Sequence, residues 1–294
     1  MIIDCFPFFN ELDLLDIRLK LLDNIVDKVV LVESTRTFTL SKKKLFYNEN
    51  KNRYKKYKDK IKHVIVDDSP AFFNKFFIHR PKNIFWLLNN KKPIFLNAHD
   101  IDFYQKNQVY KGLKNCDEND ILILSDLDEI PNPSIFEDLE ALKRGNTALE
   151  LDLYCYFLNG KVFNIKNKKS VKWTGPSITQ FKNFRSFHDE RSGARNSFKK
   201  DSKFIKIQNA GWHFTYLGGL KSLSFKIKST AHTELNTSTI NTETNLKKLI
   251  NSGVFVGNRN WKALYKPLES IFPEYLCSLF YEYPKLIKAT KKNL

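Results

Sequence analysis

Residues 120–131 predict a buried strand that ends in acidic residues. They read Asp120-Ile121-Leu122-Ile123-Leu124-Ser125-Asp126-Leu127-Asp128-Glu129-Ile130-Pro131. Four apolar residues in a row are typical of a strand covered on both faces. Alternation along an extended chain places Asp126 and Asp128 on one side and Leu127 on the other. Pro131 cannot donate to a ladder, so it helps to end the strand. Two carboxylates at the carboxyl end of such a strand suit a divalent cation that also binds phosphate oxygens.

The composition indicates a folded protein with a large core. The chain has 294 residues, of which 42% are hydrophobic and 14% aromatic, enough for one large domain or two small ones. No apolar run approaches the roughly 20 residues that a membrane-spanning helix needs. The start of the chain lacks a basic region and a clean apolar stretch, so we expect a first strand there and no signal peptide. The separated cysteines predict reduced thiols in a cytoplasmic protein; they are Cys5, Cys116, Cys155 and Cys277.

The net charge of +17 allows contact with nucleic acid, anionic lipid or a phosphorylated substrate. The sequence has no helix-turn-helix pattern, zinc spacing or RNA-binding aromatic motif, so no nucleic-acid partner is expected. Residues 275–294 are amphipathic and end in basic residues, which predicts a peripheral contact with an anionic membrane surface. Unchanged co-sedimentation with liposomes at low salt, after deletion of this segment, would contradict that prediction.

Strand and helix patterns alternate through the first half of the chain. The predicted strands are residues 2–6, 28–33, 60–66 and 121–125, and the predicted helices are 10–24 and 99–115. This order predicts an α/β fold with a Rossmann-type mixed sheet, mainly parallel and flanked by helices. Ligands of such sheets bind beyond the carboxyl ends of the strands. Three polar strand ends should therefore meet in one crevice: residues 7–11, 33–36 and 126–128.

The second half is less regular. We expect a strand at 149–158, a turn at 173–176, a polar loop at 185–203 and a helix at 220–232. Residues 69–98 are aromatic, basic and dotted with proline, which predicts an insertion or flap beside the crevice. Residues 251–294 are expected to form a helical extension packed on a domain that comprises residues 1–250.

Five motifs follow one another in a characteristic order. They are Asp4-Cys5-Phe6-Pro7-Phe8-Phe9-Asn10-Glu11-Leu12-Asp13, Val32-Glu33-Ser34, Ser125-Asp126-Leu127-Asp128-Glu129-Ile130-Pro131, Gly211-Trp212-His213-Phe214 and Ala231-His232-Thr233-Glu234. Together they resemble glycosyltransferase family 17, the family of β-1,4-mannosyl-glycoprotein β-1,4-N-acetylglucosaminyltransferases. The resemblance covers most of the chain. It departs from the family pattern at Lys106, where an arginine is expected.

The resemblance implies a GT-A-like catalytic domain over residues 1–250. It also implies a UDP-sugar donor, with UDP-N-acetylglucosamine (UDP-GlcNAc) as the expected one, a manganese or magnesium ion, and inversion at the sugar carbon. The acceptor would be a hydroxyl of a glycan or glycoconjugate. Because the sequence has no membrane anchor or stem, we expect a lipid-linked glycan, a polysaccharide or another cell-surface glycoconjugate as acceptor instead of a glycoprotein.

Roles for single residues follow from the same resemblance. Asp128 is expected to bind the metal, Asp126 the metal or the ribose, and His213 the metal or the acceptor. The other expected donor contacts are Pro7, Glu33 and Arg36.

An inverting transfer needs a carboxylate that takes the proton of the acceptor hydroxyl. Two acids are candidates for this base: Glu129, beside the acid pair, and Glu234, in a polar turn after His232.

Two other functions stay open at this point. A nucleotidyltransferase also uses paired carboxylates on a Rossmann-like sheet, but the turn at residues 6–10 has no glycine for a phosphate loop. A non-catalytic lipid- or nucleic-acid-binding protein would explain the basic charge, but it leaves the acids of residues 126–128 without a role.

Overall fold

The computed structural model describes residues 1–67, 97–199 and 203–290. In these residues twelve strands form one mixed sheet: β1 (Ile2–Phe8), β2 (Lys28–Ser34), β3 (Ile61–Val66), β4 (Ile121–Leu124), β5 (Glu129–Pro131), β6 (Thr147–Cys155), β7 (Gly160–Asn164), β8 (Lys172–Gln180), β9 (Ile205–Ile207), β10 (Gly211–Thr215), β11 (Val254–Phe255) and β12 (Asn258–Tyr265). The α-helices are α1 (Leu12–Leu22), α2 (Phe46–Glu49), α3 (Ala98–Asn107), α4 (Leu139–Lys143), α5 (Phe187–Ser197), α6 (Gly219–Ser229), α7 (Glu243–Ser252) and α8 (Glu274–Tyr281). The predicted α/β class is confirmed.

Parallel pairing joins the first four strands in the spatial order β3-β2-β1-β4. β1 pairs with β2 on one side and with β4 on the other, and β2 pairs with β3. The chain therefore moves outward from β1 to β3 and then returns to the other side of β1. This reversal leaves a crevice beyond the carboxyl ends of β1 and β4, where doubly wound sheets bind their ligands.

Antiparallel pairing continues the sheet beyond β4 as β8, β6, β7, β12 and β11. β10 lies parallel to β6 and antiparallel to β5, so the segment that follows the acids is itself held in the sheet. The predicted parallel arrangement thus describes the first four strands, and the remainder is mostly antiparallel.

Two segments differ from the sequence prediction. The turn expected at 173–176 lies inside β8, and the loop expected at 185–203 contains α5. The side chain of Ser186 caps this helix by accepting from the Asp189 N–H at 3.0 Å. The pattern of α5 was missed because its buried face includes Glu190 and Arg191, so apolar periodicity does not reveal it.

The C-terminal part is not wholly helical. The boundary predicted at residue 250 falls inside α7, and β11 and β12 then extend the central sheet. In α8 the apolar face is buried in a core cluster, which leaves Tyr275 and Tyr281 about half exposed. The contact with a membrane surface stays a prediction. Across the described ranges, no helix combines the length and apolarity needed to cross a bilayer. The flap predicted at 69–98 lies almost entirely outside the described residues.

Gly211 allows β10 to approach β5 closely. Its φ is +149°, and a Cβ there would clash with the carbonyl oxygen of Ile130. We predict that Gly211→Ala lowers the free energy of unfolding by at least about 2 kcal/mol, measured by urea denaturation. The matched control is Gly145→Ala, whose Cβ would lie 3.9 Å from its nearest neighbour, Ile205, and should cost less than about 0.5 kcal/mol. Equal effects of the two changes would contradict this account of the contact.

Candidate active site

The carboxyl ends of β1 and β4 open onto a cleft of about 910 Å³, a volume typical of sites for ligands of nucleotide size. Most of the residues predicted from the sequence line it: Pro7, Arg36, Asp126, Asp128, His213 and Glu234. Glu33 and Glu129 are buried behind its wall, with 0% and 1% of their surface exposed.

Asp128 is bound by a lysine and approached by a histidine. Its Oδ2 accepts from Lys226 Nζ at 2.7 Å, and its Oδ1 lies 3.5 Å from His213 Nε2. Burial raises the pKa of Asp128, but the charge of Lys226 and the contact with His213 outweigh burial and hold the pKa well below its ordinary value. Lys226 also lies 3.3 Å from Glu11. Asp128 is therefore a carboxylate at neutral pH.

Asp126 has two cationic partners of its own. Lys106 Nζ lies 2.9 Å from Oδ1, and Arg191 Nη2 lies 3.0 Å from Oδ2. Burial raises the pKa of Asp126, but Arg191 and Lys106 outweigh it and lower the pKa to about 2. Lys106, the departure from the family pattern, also contacts Asp102 at 3.1 Å. Its single ammonium thus bridges two acids.

Glu129 supports the acid pair from behind. Its carboxylate accepts from the backbone N–H of Asp126 at 2.7 Å, from Trp173 Nε1 at 2.5 Å and from the guanidinium of Arg191. With both oxygens bonded and the side chain buried, it cannot reach an acceptor hydroxyl. Of the two acids predicted as the base, only Glu234 lines the cleft.

Glu33 is buried behind Lys43 in the cleft wall. Its carboxylate accepts from the Tyr47 N–H at 3.0 Å, and its other oxygen lies 3.0 Å from His63 Nε2. Lys43, which lines the cleft, lies 3.7 Å from it, and burial lowers the pKa of Lys43 although Glu33 opposes this. The structure therefore brings Lys43 to the cleft where the sequence predicted Glu33.

His213 and His232 lie at different parts of the cleft. The ring of His213 is 4.6 Å from the ring of Trp173, and its Nδ1 has no hydrogen-bond partner among the described residues. His232 Nδ1 lies 2.9 Å from a carboxylate oxygen of Glu234, and His99 packs edge-on at 5.6 Å. Glu234 is exposed to solvent, so a ligand can reach it.

The buried guanidinium of Arg18 holds the acidic loop. Its Nη1 donates to three backbone carbonyls, those of Asp126, Leu127 and Glu129, at 3.0, 3.1 and 2.9 Å. Its Nε and Nη2 donate to the carboxylate of Asp4 at 2.8 and 2.6 Å, and Nη2 also reaches Ser125 Oγ at 2.6 Å. Arg18 comes from α1 and Asp4 from β1, so these elements jointly fix the loop after β4.

The balance of acidic and basic side chains on the cleft floor bears on whether a metal ion could bind there. Five carboxylates contact three cations here: the carboxylates are Glu11, Asp102, Asp126, Asp128 and Glu129, and the cations are Lys106, Arg191 and Lys226. As they stand, no three His, Cys, Asp or Glu side chains in the described ranges form a metal-holding group. A divalent cation would be attracted by the excess negative charge, but it would compete with Lys226 for Asp128.

Further cations line the cleft besides the three that pair with these acids. They are Arg36, Lys43, Lys172, Arg195 and Lys199. In α5, which replaces the loop predicted at 185–203, Arg191 is buried against the acids. Arg195 of the same helix lies over the ring of Trp173, at 5.8 Å. The cleft therefore combines a strongly acidic floor with basic walls.

Comparison with known proteins agrees with the motifs. The family profile described as Glycosyltransferase family 17 matches residues 1–258. No curated protein matches the chain. Among solved structures, the chain is similar to the crystal structure of S. aureus TarS 1-349, with 11% sequence identity and a TM-score of 0.36, over 85% of this chain and 69% of that chain.

Removing the Arg18 guanidinium should destabilise the whole protein. Arg18→Ala leaves Asp4 buried without its ion-pair partner and removes one donor from each of three carbonyls, so we predict a loss of about 3–5 kcal/mol in urea denaturation. Arg18→Lys should recover only part of this, because an ammonium lacks the planar fork. The control is Arg53→Ala on the surface, where ion pairs with Asp13 and Asp16 are worth less than about 1 kcal/mol. A loss below 1 kcal/mol for Arg18→Ala would contradict this role.

Proposed function

Because the chain belongs to glycosyltransferase family 17, we propose that its cleft transfers N-acetylglucosamine from UDP-GlcNAc to a hydroxyl of a glycan or glycoconjugate, with inversion at the sugar carbon. The observation that carries the proposal is the pair Asp126 and Asp128, held ionised by neighbouring cations beyond the carboxyl end of β4. Family membership makes the protein a glycosyltransferase; the donor, the metal, the acceptor and the base belong to the proposal.

The basic walls support a donor that carries a diphosphate. Arginine and lysine side chains bind phosphate oxygens by charge-assisted hydrogen bonds, and those of Arg36, Lys43 and Arg195 line the cleft. A UDP-sugar would place its diphosphate between these cations and the acid pair, within reach of an ion held there.

A manganese or magnesium ion would be held by Asp126, Asp128 and His213. Such an ion would neutralise charge on the departing UDP. Four carboxylates line the cleft floor against three cations, and this excess supports the assignment, as does His213, whose Nε2 lies 3.5 Å from Asp128 Oδ1.

We assign the proton transfer to Glu234. The acceptor oxygen attacks the anomeric carbon, the bond from that carbon to the phosphate oxygen breaks, UDP leaves with the electron pair, and the hydroxyl proton passes to the Glu234 carboxylate. Two observations support this choice: Glu234 is exposed in the cleft, and His232 lies 2.9 Å from its carboxylate and can orient it.

The two alternatives have less support. A nucleotidyltransferase would be expected to carry a glycine-rich turn after its first strand, whereas the turn here is Phe9-Asn10-Glu11. A non-catalytic binding protein leaves unexplained why two ionised acids are held on the cleft floor by three cations.

The first test is donor binding, measured as the change in the thermal unfolding temperature. We expect UDP-GlcNAc to raise the unfolding temperature in a manganese-dependent way, and UDP-glucose, UDP-galactose and GDP-mannose to raise it less. A ligand at a hundredfold excess over its Kd stabilises by about 2.7 kcal/mol. Asp128→Asn should remove the manganese dependence. The control is Asp23→Asn, because Asp23 also lies between two lysines, at 2.6 and 3.1 Å, but outside the cleft.

Each part of that result can fail separately. A shift by UDP-GlcNAc that is the same with and without manganese would contradict the metal assignment only. If only another nucleotide sugar raises the unfolding temperature, the assignment of UDP-GlcNAc as the donor is wrong. No shift with any nucleotide would contradict the proposed function as a whole.

The base is tested by Glu234→Gln. This change removes the proton acceptor and keeps the shape, so kcat should fall by about 10²–10⁴-fold, while UDP-GlcNAc binding stays unchanged. Turnover is followed as UDP release with a panel of methyl pyranosides as acceptors. Glu243→Gln is the control, because Glu243 is exposed on α7 and pairs only with Lys247 in the described structure. A kcat within threefold of the wild type for Glu234→Gln would rule this residue out as the base.

A further inference from the structure

One wall of the cleft is a hairpin that the family match reaches only in part. β11 and β12 pair antiparallel, and their lining residues are Phe255, Val256, Gly257, Asn258 and Trp261. The matched region ends at residue 258, inside this hairpin. The acid pair thus lies within the matched region, whereas Trp261 lies beyond it.

The hairpin is firmly attached to the sheet. The hydroxyl of buried Tyr156 donates to the Val254 carbonyl at 2.8 Å and accepts from the Val256 N–H at 3.1 Å. β12 also pairs with β7, with Trp261 opposite Asn164. A surface fixed in this way needs little ordering when a ligand binds.

Three aromatic rings form a continuous wall along the hairpin. Phe255 packs edge-on against Tyr216 at 5.8 Å and against Trp261 at 5.4 Å, and all three side chains are half-buried. Asn258 lies beside them; its Oδ1 accepts from the Asn260 N–H at 3.0 Å, which leaves its amide N–H groups available for a ligand oxygen. Apolar ring faces next to a polar amide match a pyranose, which has C–H groups on one face and hydroxyls at its rim.

The wall begins next to the acid pair. Lys226 Nζ lies 5.7 Å from the ring centre of Tyr216 and 2.7 Å from Asp128. Burial raises the pKa of Tyr216 to about 12, with Lys226 opposing and with Asp128 and Glu234 adding to the rise. Tyr216 is thus within electrostatic reach of both the acid floor and the proposed base.

We propose that this hairpin is the acceptor subsite, where a pyranose ring of the acceptor glycan stacks on Trp261 and is hydrogen-bonded by Asn258. The inference rests on the proposed function, since it concerns the second substrate of the same transfer. The acceptor sugar would bind against Trp261, Phe255 and Tyr216, and the nucleotide would bind at the basic walls of the cleft.

Saturation-transfer NMR with methyl β-pyranosides of glucose, galactose, mannose and N-acetylglucosamine tests the subsite without turnover. The wild type should bind at least one of them, with the strongest signals on protons of the apolar ring face. Trp261→Ala should weaken that binding at least fivefold, and Trp261→Phe should weaken it less. The control is Leu264→Ala, on the same strand but 41% exposed and outside the cleft, which should bind as the wild type does.

Three outcomes would overturn the inference: no binding of any pyranoside to the wild type, unchanged binding to Trp261→Ala, or equal losses in Trp261→Ala and Leu264→Ala. If Trp261→Ala does not fold, Asn258→Ala replaces it and should also weaken binding. UDP-GlcNAc binding, measured in parallel, should be the same in all variants that fold. If the wild type binds a pyranoside but does not bind UDP-GlcNAc, the proposed donor is wrong and the acceptor subsite is still supported.

Discussion

The position of the acidic loop depends on one buried guanidinium. Arg18 satisfies three carbonyls of the loop after β4 and is neutralised by Asp4 in the middle of β1. A buried ion pair gains little stability by itself, because both charges lose their hydration. The ion pair instead fixes the position of the loop, because a shift of the loop would leave an unpaired charge in the core. The acids are thus held in place before any ligand arrives, as catalytic groups need to be.

Around this anchor, positive and negative side chains alternate. Arg191 joins Asp126 to Glu129, and Lys226 joins Asp128 to Glu11. Glu129 therefore contributes by fixing Asp126 and Arg191, although it is sealed from the cleft. The arrangement keeps two carboxylates ionised in a largely buried site, which burial alone would oppose.

Local patterns predicted β1 to β4, β6 and the acids, because these depend on near neighbours in the sequence; the other strands were not predicted. The apolar run before Asp126 identified β4. The strand ends at Leu124, so Asp126 and Asp128 reach the cleft from the turn that follows it and not by alternation along the strand. Alternation along β2 does explain why Glu33 faces away: Val32 and Ser34 line the cleft, so the residue between them points to the other side. The partners Arg191 and Lys226 come from helices far along the chain, and no local pattern indicates such contacts.

The hairpin of β11 and β12 lies at the outer edge of the sheet and joins it only through β7 among the described strands. Strands in the interior cannot change length without disturbing neighbours on both sides, whereas an edge hairpin has one neighbour. Lengthening or exchanging this hairpin would leave β1, β4 and the acidic loop untouched. The fold therefore separates a part that must stay constant from a part that evolution or an engineer can vary, and new acceptor preferences could arise at this edge without loss of the chemistry.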